Sequence, residues 1–318
     1  MKKDKIIIGI HGLGNKPPAI LLEEWWRLAI TEGLTEITGY PKFDFEMVYW
    51  ADILNDRPLD PDETDSDSDY FIKEKYIPAS NIHAQSQEDS MIQKISDKFN
   101  DLIFNKKLHE NFPSVTDWVI KNFFSELDIY LNGKPFLDET SELAAKDVIK
   151  NRLETILKQH KNKKILLIAH SMGSIIAFDV LSENKSGITI NTFVTIGSPL
   201  GVPFIIEKIK NTKTGKLKTP DSITNAWFNF ADPDDKLAVN YELEKIFEPN
   251  KKGIRPQGQP VKNNYEMNGD PNPHKSFGYL RTPELAFAIN QFMQPEKGKL
   301  EKWIREKVNY IKTLFGKK

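Results

Sequence analysis

Two apolar runs lie almost end to end in this chain. Lys163-Lys-Ile-Leu-Leu-Ile-Ala169 and Ser174-Ile-Ile-Ala-Phe-Asp-Val-Leu181 are separated only by His170-Ser171-Met172-Gly173. The first run reads as a strand buried on both faces, the kind found in parallel sheets covered by helices. The second reads as a helix. Four residues leave no room for an ordinary loop, so the chain turns sharply from strand into helix at Ser171. A serine at such a turn takes strained backbone angles and lifts its hydroxyl clear of the sheet. The turn closes only if the residues two before and two after the serine are small, because they nearly touch. Ala169 and Gly173 meet that need, with Ala169 one methyl larger than the usual glycine. The start of the helix also favours an anion beside the serine. The plain alternative is a tight turn whose serine merely caps the helix.

The rest of the chain repeats the alternation. Ile6–Ile10 is a short β-branched run that stops at His11-Gly12-Leu13-Gly14-Asn15. Pro17-Pro18 then opens a helix with Leu21, Leu22, Trp25, Leu28 and Ala29 on one side, expected to end near Gly33. Phe43–Trp50, Ile190–Ile196 and Ile223–Phe230 read as strands. Leu143, Ala144, Val148, Leu153, Ile156 and Leu157 follow helical spacing, and Pro283 opens another helix. Residues 248–273 are rich in Pro, Gly and Asn and read as loop, with a short strand near Val261–Tyr265. Strands and helices in alternation predict an α/β fold with a mostly parallel sheet flanked by helices.

One stretch departs from this pattern. Residues 52–70 hold eight acids against a single base, Arg57, and read as a solvated, mobile loop. Asp65-Ser-Asp67-Ser-Asp69 imitates the start of a calcium loop but has Tyr70 where glycine is needed and Tyr76 where glutamate is needed. Residues 70–136 carry eleven aromatics, 16 % against 11 % for the chain, so they pack an apolar core or cover an apolar surface. The expected division is a core of residues 1–51 and 141–318 with an insertion at 52–140, the latter an acidic loop followed by a largely helical, aromatic-rich cap or lid.

Composition narrows the function classes. Lys and Arg number 44 and Asp and Glu 45, for a net charge of −1, which argues against nucleic acid as a partner. The absence of cysteine excludes disulfides, thiolate metal sites and a cysteine nucleophile. No apolar run is long enough for a signal peptide or a spanning helix, and the expected location is cytoplasmic. From Glu296 to Lys318 eight basic residues face three acidic ones, with Leu300, Trp303, Ile304, Val308, Ile311, Leu314 and Phe315 in one stripe. Such a helix packs on its own sheet or lies on an anionic membrane surface.

The His11-Gly12-Leu13-Gly14 turn supplies a second chemical element. A glycine turn at a strand's C-terminal end can aim backbone N–H groups into a crevice, where an oxyanion needs donors about 3 Å away. The N–H groups of Leu13 and Met172 are the expected oxyanion donors, and His11 is expected to brace the turn. Together, HGLG after one strand and AHSMG after a later one resemble the α/β-hydrolase superfamily, in its lipase and esterase branch, from about Ile6 to Asn290. The resemblance implies an α/β-hydrolase fold, a Ser–acid–His order and no cofactor or metal.

Ser171 is then the nucleophile. A serine hydroxyl needs a base, and among His11, His83, His109, His160, His170 and His274 the resemblance assigns His274, in a late loop just before a helix. The acid lies in Asp232-Pro-Asp234-Asp235-Lys-Leu-Ala238; Asp235 fits the family's pattern better, and Asp232 stays as the alternative. Gly12, His170 and Ser198, the last in the Ile196-Gly-Ser-Pro-Leu-Gly201 segment, are expected to bind substrate. The implied activity is cleavage of a small-molecule or lipid carboxylic ester, with an apolar acyl chain suggested by the aromatic insertion. The same residues suit thioester hydrolysis or acyl transfer, and a binding module without turnover is the other class.

Overall fold

The computed structural model describes residues 4–39, 41–79, 127, 129–130, 144–211 and 217–294. Six strands form one sheet: β1 (Lys5–Ile10), β2 (Phe45–Val48), β3 (Lys164–His170), β4 (Ile190–Ile196), β5 (Ile223–Ala231) and β6 (Pro256–Pro260). Their spatial order is 2-1-3-4-5-6, and every neighbouring pair is parallel. The helices are α1 (Ala19–Thr38), α2 (Ala145–Gln159), α3 (Met172–Glu183), α4 (Pro203–Asn211), α5 (Ser276–Leu280) and α6 (Pro283–Met293).

The two-residue period of the strands sorts the core into two layers. Ile7, Leu166, Ile168, Val194, Ile196 and Phe230 face α1, α5 and α6 and pack with Trp26, Ile30, Phe277 and Ile289. Ile6, Ile8, Ile10, Ile165, Leu167 and Phe193 face the other way and pack with Leu153 and Leu157 of α2 and Ile175 and Ile176 of α3. Both faces of the sheet's middle are covered, which is why β1 and β3 are near-continuous apolar runs. Each fully buried Ile, Leu or Phe contributes about 1.5–3 kcal/mol.

The order also fixes where a site can form. β1 connects outward to β2, whereas β3 lies on the other side of β1, so the chain reverses direction across the sheet between β1 and β3. In open α/β sheets, ligands bind beyond the strands' carboxyl ends at such a reversal. Ile10 pairs with Ala169, Ala169 with Thr195, and Ile196 with Phe230, so β1, β3, β4 and β5 end at one edge.

Several boundaries differ from the sequence reading, each for a physical reason. α1 does not end near Gly33 but runs to Thr38. A Cβ on Gly33 would stand 2.9 Å from the carbonyl oxygen of Arg281, so this glycine permits close packing inside the helix and does not end it. The late strand lies at Pro256–Pro260, not at Val261–Tyr265. It is the sheet's edge strand, where proline's missing N–H is tolerated. Val261 and Tyr265 are buried side chains beyond it. β2 is shorter than Phe43–Trp50, and α3 begins at Met172 instead of Ser174.

The acidic stretch folds as short turns in which Asp60 and Asp65 accept the N–H groups of Asp62 and Asp67. Most of the expected insertion, including His83 and His109, lies outside the described residues, as does the C-terminal basic segment. Among the described residues no helix is long and apolar enough to cross a membrane.

Candidate active site

Ser171 stands between β3 and α3 with φ 51° and ψ −126°, a left-handed conformation that non-glycine residues rarely take. The surroundings enforce it. A Cβ on Gly173 would lie 2.6 Å from the backbone oxygen of His11 and 2.8 Å from that of Ile10. One on Gly12 would lie 2.8 Å from Cβ of Ser171. The His11–Gly14 turn therefore lies directly against the serine, and only glycines fit between them. Ser171 is fully buried, and Met172, as the first residue of α3, carries an N–H that has no acceptor within its own helix.

The turn after β1 is braced from two sides. His11 donates from Nδ1 to the carbonyl of Gly12 (2.6 Å) and accepts the N–H of Trp50 at Nε2 (2.9 Å). Its ring stacks on Trp50 at 4.9 Å, 9° from parallel. Burial, with help from the charge of Lys16, holds His11 well below the ordinary histidine range. The Lys16 ammonium gathers the carbonyls of Leu13 and Gly14, the latter at 2.8 Å.

Three loops converge on the serine. The loop after β5 carries Asp235, and the segment before α5 carries His274. His274 Nε2 lies 2.9 Å from Ser171 Oγ. His274 Nδ1 lies 2.8 and 3.0 Å from the two oxygens of Asp235. With a carboxylate facing Nδ1, the ring proton belongs there, and Nε2 is left to accept from the serine hydroxyl. This is the arrangement in which a serine can lose its proton to an oriented imidazole.

The two candidate acids have different places. Asp235 is buried, and besides His274 it accepts the N–H of Leu237 at 3.0 Å and the hydroxyl of Tyr279 at 2.7 Å. Asp232 has other partners. It accepts the N–H groups of Asp234 (2.8 Å) and Asn263 (2.5 Å) and so organises the loop that presents Asp235. Burial pushes its carboxyl up from the ordinary range.

The other expected residues are placed as follows. His170 is buried beside His274, ring centroids 4.9 Å apart, and donates from Nε2 to the His274 carbonyl at 2.8 Å. Burial, then the neighbouring His274, holds it well below the ordinary histidine range. Ser198 is buried, and its hydroxyl meets Ser174 Oγ (2.7 Å) and the N–H of Leu200 (3.3 Å), so it ties the end of β4 to α3. Expected at the substrate, both polar groups are engaged within the protein. His160, at the end of α2, pairs instead with Glu46 at 2.5 Å. Among the described residues no three His, Asp or Glu side chains gather as metal ligands.

Sequence reasoning missed two residues. Tyr279 donates to Asp235 and accepts the N–H of Asp232 at 2.8 Å, so one buried hydroxyl ties both ends of the acid loop. Burial and the Asp235 carboxylate push that phenol well above its ordinary range. Asn263 donates to the carbonyls of Pro273 and Lys275, both at 2.8 Å, and so grips the chain on both sides of His274. Neither has a motif around it; a tyrosine in a short helix and an asparagine in a loop are common.

A family model described as PGAP1-like alpha/beta domain matches residues 76–245, just over half of the chain. The matched span holds Ser171 and Asp235; the turn at His11–Gly14 and His274 lie outside it. Among curated proteins none matches this chain.

Proposed function

This chain belongs to the PGAP1-like α/β domain family, within the α/β-hydrolase superfamily, and from that premise we propose that it is a serine hydrolase that cleaves carboxylic esters. The observation that carries the proposal is the continuous hydrogen-bonded line from Ser171 through His274 to Asp235, assembled from three separate loops at the sheet's carboxyl edge. Ser171 Oγ attacks the acyl carbon while His274 Nε2 takes its proton. Asp235 keeps the ring oriented and stabilises the imidazolium that forms. The N–H groups of Leu13 and Met172 hold the oxyanion, an arrangement in which one donor is worth about 10²–10³ in rate. His274 then gives its proton to the departing alcohol, and the acyl group stays on Ser171 until water, activated by the same imidazole, releases it. In a buried site these charges act with little screening.

The aromatic content of residues 70–136 supports an ester with an apolar acyl part. The test is turnover of short- and long-chain esters by the wild type, Ser171→Ala and His274→Ala. Each substitution lowers kcat by about 10⁴-fold or more, and the double variant is no worse than the singles, because the two groups act as a unit. Undiminished turnover in Ser171→Ala overturns the proposal.

A further inference from the structure

The base-bearing loop Asn272–Lys275 precedes α5 and belongs to no helix or strand, so its shape depends on side chains that reach it from elsewhere. One of them comes from a distant stretch of sequence. Residues 74–79, which lead from the acidic turns toward residue 80, lie across this part of the molecule. Tyr265 donates its hydroxyl to the carbonyl of Lys75 at 2.7 Å, Arg281 donates to the carbonyl of Ile77 at 2.7 Å, and Tyr76 meets Phe277 edge-on at 5.8 Å. From this pinned segment Glu74 extends to the loop. Its Oε1 accepts the side-chain amide of Asn272 at 2.5 Å, and its Oε2 accepts the ammonium of Lys275 at 2.8 Å. Asn272 in turn accepts the backbone N–H of His274 at 3.0 Å.

We infer that Glu74 is a positioning residue for His274: a carboxylate from the segment at residues 74–79 that fixes the residues on both sides of the base. The inference rests on the proposed serine-hydrolase reading. The groups facing His274 are Asp235 on the acid loop, His170 at the end of β3, Lys275 next along the chain, and Glu74 behind Lys275. Among these, Glu74 alone joins the 74–79 segment to the base-bearing loop. It does two things there. It holds the Asn272 side chain in the orientation that receives the His274 N–H. It also neutralises a lysine that otherwise stands beside an imidazole about to gain a positive charge. Burial opposes ionisation of Glu74, yet the charge and hydrogen bond of Lys275, with the amide of Asn272, hold its carboxyl below the ordinary glutamate range. The pair is partly covered, each side chain 23 % exposed, so water screens it only in part.

The test compares the wild type with Glu74→Ala, Asn272→Ala and the double variant. A misplaced base slows proton transfer without touching substrate binding. The expected result for Glu74→Ala is a kcat lowered about tenfold to a hundredfold with KM within about twofold. The double variant matches the worse single, because the two act on His274 in series. An independent readout is the downfield proton resonance of the His274 Nδ1–H donated to Asp235. It is sharp in the wild type and broadened in Glu74→Ala. If Glu74→Ala does not fold, Glu74→Gln, of equal size and without the charge, takes its place in both measurements. Unchanged kcat with an unchanged resonance overturns the inference. If the wild type itself turns over no ester, the serine-hydrolase reading fails, and the resonance alone still decides whether Glu74 positions His274.

Discussion

Ser171 and His274 stand 2.9 Å apart, yet they are held in place by unlike means. Around Ser171 the backbone does the work. The serine is trapped between β3, α3 and the turn after β1, and Gly12 and Gly173 are present because any side chain there collides with backbone or with the serine. Around His274 the backbone is irregular, and polar side chains do the work: Asn263, His170 and Asn272 bond its peptides, and Asp235 and Tyr279 fix its ring. A serine held by steric exclusion is marked by small residues, Ala169 and Gly173 beside it and Gly12 in the facing turn. A base held by a polar network is set by residues scattered along the chain. The first should fail abruptly on substitution, the second by degrees, except at Asp235, which carries the charge behind the ring.

The sharpest way to break this contrast is at the acid. Asp235→Asn removes the anion behind the ring and lowers kcat by about 10⁴-fold. Asp232→Asn, which alters loop bonding three residues away, leaves turnover within an order of magnitude and lowers stability instead. Equal losses of kcat in the two variants contradict the separate roles assigned to these aspartates.

Next comes the elbow itself. Gly173→Ala places a methyl 2.6 Å from a backbone oxygen, so the turn must shift. The expected cost is about 1–3 kcal/mol in chemical denaturation together with loss of turnover. On the base side, Tyr279→Phe leaves the buried N–H of Asp232 without its acceptor and takes from Asp235 one donor, leaving Leu237 and His274. Stability falls by about 1–3 kcal/mol, and kcat drops about tenfold without vanishing. Graded loss there against complete loss at Gly173 sharpens the comparison; the reverse ranking breaks it. Ser171→Gly relieves the left-handed strain and raises stability by about 1 kcal/mol while ending turnover.

A further effect is pH-dependent and leaves the site's chemistry aside. His11 and His170 are both held neutral in the folded protein, so the unfolded chain binds protons more readily than the native one below the ordinary histidine value of about 6.5. Stability is therefore full above that pH and falls as pH drops through it, by up to about 1.4 kcal/mol per pH unit for each histidine. Thermal unfolding between pH 7 and pH 5 measures this slope, and His170→Gln reduces it by one histidine's share.

The same contrast explains what could be read in advance. The parallel sheet follows from apolar runs such as Ile6–Ile10 and Lys163–Ala169, because burial on both faces leaves no polar alternation. The serine turn is legible because its steric needs fall on Ala169 and Gly173, two residues either side. The Pro256–Pro260 strand was not legible, because proline argues against a strand unless the sheet order shows that it lies at the edge. Gly33 misled because a glycine that permits helix packing looks, in sequence, like one that ends a helix. Asp235 could be ranked over Asp232 from its following residues, but what separates their environments is contact with His274, thirty-nine residues beyond Asp235. Glu74 lies two hundred and one residues from the lysine that it binds. No local pattern carries such pairings; only the folded chain brings them together.

The central claim is that Ser171 is an activated nucleophile. Intact-mass analysis after treatment with a fluorophosphonate, followed by peptide mapping, tests it without assuming a substrate. The account predicts a single adduct on Ser171, formed quickly in the wild type and lost in His274→Ala. An adduct on another residue, none on the folded protein even with detergent present, or one on Ser171 that forms as fast without His274, contradicts it.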